Sequence, residues 1–166
     1  MQVQTRITSR KVFVISIYEQ LIQALEYTSS YALVPGKLDI QQYHFSSFHD
    51  VDALIDHMGY MTEWFFDKEK KHTLDVPFLK DMIMQRDNHI DTIISIIDTH
   101  CTTFSFEKMD PIDKAIFLAW AIEYAVHHTP KQILLNEMIE IAKRYGDEWS
   151  PKLINGIGHK VIEDIV

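Results

Sequence analysis

Apolar residues recur along most of the chain at intervals of three and four, the spacing that lines one face of a helix. Val14, Ile17, Tyr18, Leu21 and Leu25 predict a first helix over residues 5–28, followed by a loop, Tyr27 to Gly36, closed by Pro35-Gly36. Leu54, Met58, Met61 and Phe65 continue the pattern. Asp39 is placed to cap a short helix, and Ser46 or Ser47 to cap the longer one carrying those residues. The charged run Asp67 to Lys71 reads as an exposed helix end, and Tyr60, Trp64, Phe65 and Phe66 read as core aromatics. A further helix covers 75–100, with Pro77 near its start and Phe78, Met82, Ile90, Ile93, Ile94 and Ile97 on one stripe. Cys101 to Lys108 reads as a linker.

The last third is the most sharply punctuated. Asp110-Pro111, Thr129-Pro130 and Ser150-Pro151 each put a side-chain oxygen before a proline. A proline at the first helical position loses nothing, because its missing N–H would be unpaired there anyway. These pairs predict helices starting at Pro111, Pro130 and Pro151. Gln132 and Asp113 stand where a capping box would have its second member. Leu134, Met138, Ile141 and Tyr145 form an apolar stripe beside the more polar Ile133, Glu137, Glu140 and Arg144. Gly146 is expected to end that helix in a left-handed conformation. Asn155-Gly156 interrupts the next one, where glycine costs ~1 kcal/mol against alanine and implies a close-approach role. Asn136 and Asn155, set within apolar helices, are expected to be buried ties between neighbours. No strand is expected.

Composition narrows the function. Hydrophobic residues make up 46% of the 166, enough for a core, and the single Cys101 rules out an internal disulfide. No apolar run approaches the ~20 residues of a membrane span. Tyr18-Glu19-Gln20 is not a signal-peptide cleavage site, so a soluble, cytoplasmic protein is expected. The nine histidines include no His-Glu-x-x-His, no metal site is expected, and there is neither a glycine-rich phosphate loop nor a Gly-x-Ser-x-Gly elbow. No catalytic constellation and no cofactor is expected. Sixteen basic against twenty-four acidic residues give a net charge of −8, so any nucleic-acid binding must rest on a local patch or a partner.

The segments PKQILLNEMIEIAKRYG and SPKLINGIGHK resemble the C-terminal signature of the NusB transcription antitermination family. Pro130, Asn136, Glu137, Glu140, Ala142, Lys143, Gly146, Ser150, Lys152, Asn155 and Gly156 match it in order and spacing. Upstream, Asp113, Ala115 and Glu123 fit the preceding family helix, and HIDTIISIID is similar to its Ile-Asp helix. Met82 and Arg86 stand where the family commonly has glycine and asparagine. The resemblance implies one all-α NusB-like domain over residues 1–166, with about six or seven helices in two subdomains packed around helix one. It implies a non-catalytic adaptor that binds single-stranded boxA-type RNA of ribosomal transcripts. It acts together with NusE, a small-subunit ribosomal protein, within the RNA polymerase antitermination complex. RNA contact would fall to Arg6, Arg10, Lys11, Lys152 and Leu153, with Arg6 and Arg10 on an exposed helix end. Leu153 replaces the family's base-contacting phenylalanine, and Trp149 is close enough in sequence to substitute. Asp113 and Glu123 would face NusE. The alternative is a protein–protein module of the same fold that has lost RNA binding, which the acidic balance and thin arginine cluster favour.

Overall fold

The computed structural model of the chain describes residues 2–30, 50–66 and 73–165. Six helices account for most of them: α1 (Gln2–Ser30), α2 (Val51–Phe65), α3 (Val76–His100), α4 (Pro111–His127), α5 (Lys131–Tyr145) and α6 (Ser150–Asp164), with a 3-10 turn at Phe106–Lys108. No strand occurs among the described residues, and the fold is the all-α bundle the periodicity predicts.

The packing centres on α4 rather than on α1. Every residue from Asp113 to Glu123 is buried, and α4 touches α1, α3, α5 and α6. A helix buried all round must be apolar on nearly every face, which IDKAIFLAWAI nearly is. α5 and α6 pair closely beside it, and α2 bridges α1 and α3. The buried hydrophobic residues of all six helices form one contiguous cluster. Arg86, at the position where the asparagine of the resembled family would stand, is buried in α3 and donates to Gln20 Oε1 of α1 at 3.0 Å. Burial pushes its pKa well below the usual guanidinium value, with Asp87 opposing.

Several boundaries differ from the sequence reading. Tyr27 to Ser30 belong to α1 rather than to a loop, while residues 31–36 lie outside the described residues. α2 is capped by Asp50, whose carboxylate accepts the N–H groups of Asp52 at 3.0 Å and Ala53 at 3.2 Å. That leaves no capping role in α2 for Ser46 or Ser47; those serines, Asp39 and Asp67 to Lys71 all lie outside the described residues, as do the side chains of Leu25, Trp64 and Phe65. Tyr60 is 55% exposed, because Leu54, Met58 and Met61 define the inward face of α2 and residue 60 projects away from it.

The cap–proline pairs mark helix starts to within a residue, but the hydroxyls are spent elsewhere. Thr129 Oγ1 donates to Glu123 Oε1 at 2.7 Å, and Pro130 stands in the cap position of α5. Gln132 bonds Asn136 at 3.1 Å instead of closing a capping box. Asp110 makes no side-chain cap bond. At α6 the capping carboxylate is Asp147, whose Oδ1 accepts the N–H of Trp149 at 2.7 Å and of Ser150 at 2.9 Å. Gly146 is not left-handed (φ −86°). It is required for space, since a Cβ there would fall on Ser150 Oγ and Cβ. His128 takes the left-handed conformation, at the end of α4.

The roles expected of Asn136, Asn155 and Gly156 are overturned. All three are exposed, and a Cβ on Gly156 would meet nothing within 4 Å. The close approach of α6 to α5 is made at Gly158, where a Cβ would lie 3.0 Å from Leu135 Cδ2.

Candidate nucleic-acid interface

Arg6 and Arg10 are one turn apart on α1, so they share a face, and that face looks inward. Arg6 donates through Nε to Asp75 Oδ2 at 2.9 Å, with its second nitrogen 2.8 Å from the same oxygen. Its guanidinium lies 4.1 Å from the centre of the Phe78 ring, which also stacks on His127 at 4.7 Å. Asp75 in turn caps α3 through Phe78 N–H and donates its own N–H to Ser9 Oγ at 2.8 Å. The start of α1 is thereby stapled to the start of α3.

Arg10 meets Glu123 in a bidentate pair, with three N–O separations of 2.8 to 3.1 Å. The Arg10 side chain is 12% exposed and that of Glu123 only 3%. An Arg–carboxylate fork this enclosed is strong and directional. Arg10 is therefore not on an exposed helix end, and Glu123 turns inward rather than toward a partner. The family resemblance put these two residues in separate sites, Arg10 toward RNA and Glu123 toward NusE, whereas the fold brings them together across 113 positions. Asp113 is likewise buried, at 5% exposure, beside the start of α6. Burial raises its pKa and a hydrogen bond with the Ser150 side chain opposes the rise.

The remaining cations stand at the α5–α6 turn. Lys11, on a different face of α1 from Arg10, lines a cleft of about 470 Å³ whose far wall is Tyr145, Gly146 and Asp147. Two residues beyond that wall is Trp149, 61% exposed, with Lys152 Nζ 4.4 Å from its ring centre. Leu153 is half-buried against the core. Of the five expected RNA contacts, the structure puts Lys11 on a cleft bounded by the α5–α6 turn and Lys152 against Trp149 at the start of α6, ties Arg6 and Arg10 to carboxylates, and leaves Leu153 half-buried.

A simple sequence signal points to the same place. In a chain of net charge −8, residues 1–18 contain no acid, and neither do residues 149–162. These are the outer part of α1 that supplies Lys11 and nearly all of α6. Two exposed acids, Asp110 and Asp147, line the cleft together with Lys11. The backbone N–H groups of Trp149 and Ser150 hold the Asp147 carboxyl below the usual carboxylate range.

Elsewhere the described surface offers a second groove of about 570 Å³ between α1 and α2, lined by Ile15, Tyr18, Ile22, Tyr60 and Met61. The pair His57–Glu19, at 2.9 Å, sits on its rim. Among the described residues no group of three or more His, Cys, Asp or Glu side chains is arranged to hold a metal ion, and no helix is long and apolar enough to cross a membrane.

Residues 42–163 match the model of the NusB family. The chain is also similar to a transcription antitermination protein NusB of Finegoldia magna, with 31% identity over 90 residues, 54% of this chain. The match spans 66% of that relative's length. A family match over most of the chain, on an all-α bundle, is decisive: the protein belongs to the NusB family.

Proposed function

We propose that this protein is a non-catalytic RNA-binding adaptor of transcription antitermination. It would engage single-stranded, boxA-like RNA of ribosomal transcripts together with the ribosomal protein NusE. What supports the reading is that both acid-free stretches carry cations at the surface, Lys11 on a cleft bounded by the α5–α6 turn and Lys152 against the exposed Trp149 at the start of α6. Single-stranded RNA is bound by a few cations that track phosphates and by flat side chains that accept unstacked bases. In this reading Arg6 and Arg10 act indirectly. They fix the start of α1 against α3 and α4, and so place Lys11 at the cleft.

Two cations set a modest electrostatic scale. Each phosphate neutralised on a single strand gives a slope of about −0.7 in log K against log salt, so two give roughly −1.4. RNA alone should bind weakly and bind better when a basic ribosomal protein adds its own charge. Anisotropy titrations of a labelled boxA-like RNA, with and without NusE at several salt concentrations, test this. A slope near that value, and tighter binding with NusE, are expected. No RNA binding under either condition would contradict the reading and leave the protein–protein module, which the carboxylate-engaged Arg6 and Arg10 favour.

A further inference from the structure

Trp120 stands in the middle of α4, 3% exposed, and its indole Nε1–H meets no acceptor among the described residues. A buried tryptophan N–H is normally bonded, because an unmade bond costs the desolvation of the group with no return. The ring lines a cavity of about 20 Å³ between α1, α3, α4 and α5. Phe13, Met82 and Leu134 are among its apolar walls, and Arg10, Glu123 and Glu137 are its charged ones. Trp120 and Glu123 are one turn apart on α4, so their side chains project to the same side. The two oxygens of Glu123 are unequally used. Oε1 accepts from Arg10 Nε, Arg10 Nη2 and the Thr129 hydroxyl. Among the described residues Oε2 accepts from Arg10 Nε alone, at 2.8 Å. Since a carboxylate oxygen can accept about two hydrogen bonds, Oε2 keeps a position for another donor.

We propose that this cavity is a site for one internal water molecule, which accepts the Trp120 Nε1–H and donates to Glu123 Oε2. A water needs roughly 10–15 Å³ of such space and two to four polar partners. The cavity has room for one water and too little for an organic ligand. Trp120 and Glu123 supply two partners, and Glu137, half-buried on the α5 wall, can accept the second proton. A dry cavity would instead strand a donor beside two carboxylates that lie beyond its direct reach, the costlier arrangement. The water extends the Arg10–Glu123 pair into a chain that runs from Trp120 through Glu123 to Arg10. That chain ties the interior of α4 to α1, and through Glu137 to α5. The site belongs to the interior and does not rest on the RNA-binding reading above.

The test is nuclear magnetic resonance on the full ¹⁵N-labelled chain. Its 3 tryptophans give separate indole N–H signals, and Trp120→Phe identifies the one that belongs to Trp120 by deleting it. In the wild type that signal should show an Overhauser cross-peak to a long-lived bound water. Ala119→Val fills the cavity from α4 and should abolish the cross-peak while the Trp120 signal itself remains. Leu134→Phe fills it from α5 and gives the same readout should the first variant not fold. Arg10→Met/Glu123→Met removes the acceptor and should abolish the cross-peak as well. A high-resolution crystal structure should place one ordered water about 2.7–3.2 Å from both Trp120 Nε1 and Glu123 Oε2. A Trp120 signal without a water cross-peak in the wild type would overturn the site. A cross-peak that survives filling of the cavity would put the water elsewhere and overturn it too. A cross-peak that survives loss of Glu123 would overturn the bridge along α4.

Discussion

The Arg10–Glu123 pair supports both the architecture and the division of labour among the cations, so its removal is the informative perturbation. Arg10→Met keeps the aliphatic stem of the side chain and deletes the guanidinium. Glu123, 3% exposed, would then retain, among the described residues, the Thr129 hydroxyl as its side-chain partner. Stranding one member of a buried ion pair typically costs ~3–5 kcal/mol. Because 12% of the Arg10 side chain reaches solvent, water can partly replace it, which favours the lower end, about 3 kcal/mol. For a chain of this size that is a fall in melting temperature of about 6–12 °C. Urea denaturation of Arg10→Met, Glu123→Met and the double variant supplies the assay. Each single variant should be strongly destabilised, and the double should recover most of the loss, because two apolar side chains leave no isolated charge. If Arg10→Met unfolds within ~0.5 kcal/mol of the wild type, as ordinary surface substitutions do, the pair is not the closed unit described here. Arg10 would then be available for RNA.

Further outcomes follow from the α5–α6 turn and from α3. Gly146→Ala should cost about 1–3 kcal/mol by forcing Ser150 aside, and a thermal melt equal to the wild type would show that Ser150 gives way freely. Asp147→Ala should lower the melting temperature at neutral pH. Because the folded state holds this carboxyl below its ordinary 3.8, its contribution is complete above that value and is lost as pH falls through the folded pKa. The gap between variant and wild type should therefore close in acid, and a gap independent of pH would refute the capping role. Burial and Asp98 raise the Cys101 thiol from 9.0 to about 11. That change cuts its thiolate fraction roughly 100-fold at pH 8, so alkylation of the folded protein should be correspondingly slower than after denaturation.

The helices were legible because burial of one face leaves a periodic record, and proline restricts where a helix can begin. What the side chains at those starts do was not legible. Thr129 has the right position and type to cap α5, yet Glu123 supplies a stronger acceptor and takes its hydroxyl. Asp147 does at α6 what Ser150 was expected to do, because it lies three residues ahead with its carboxylate facing two free N–H groups. Tertiary pairing was equally hidden. Nothing near Arg10 in sequence announces Glu123, and the resemblance implied two surface sites in place of one interior lock. Gly156 and Gly158 look alike in sequence, but only Gly158 faces Leu135, a difference set by the rotation of α6 against α5. Lys11 and Lys152 were legible as candidates, whereas the cleft beside Lys11 and the exposed ring beside Lys152 belong to the fold.

The central claim is that RNA is held by the cations around the α5–α6 turn, while Arg6 and Arg10 only hold α1 in place. Comparing the RNA affinity of Lys11→Gln/Lys152→Gln with that of Arg10→Met/Glu123→Met at one low salt concentration tests it most directly. The account predicts that the lysine double variant melts like the wild type and loses most of its RNA affinity, whereas the Arg10 double variant, once folded, binds RNA about as well as the wild type. Retained affinity in the lysine variant, with affinity lost in the Arg10 variant, would contradict it.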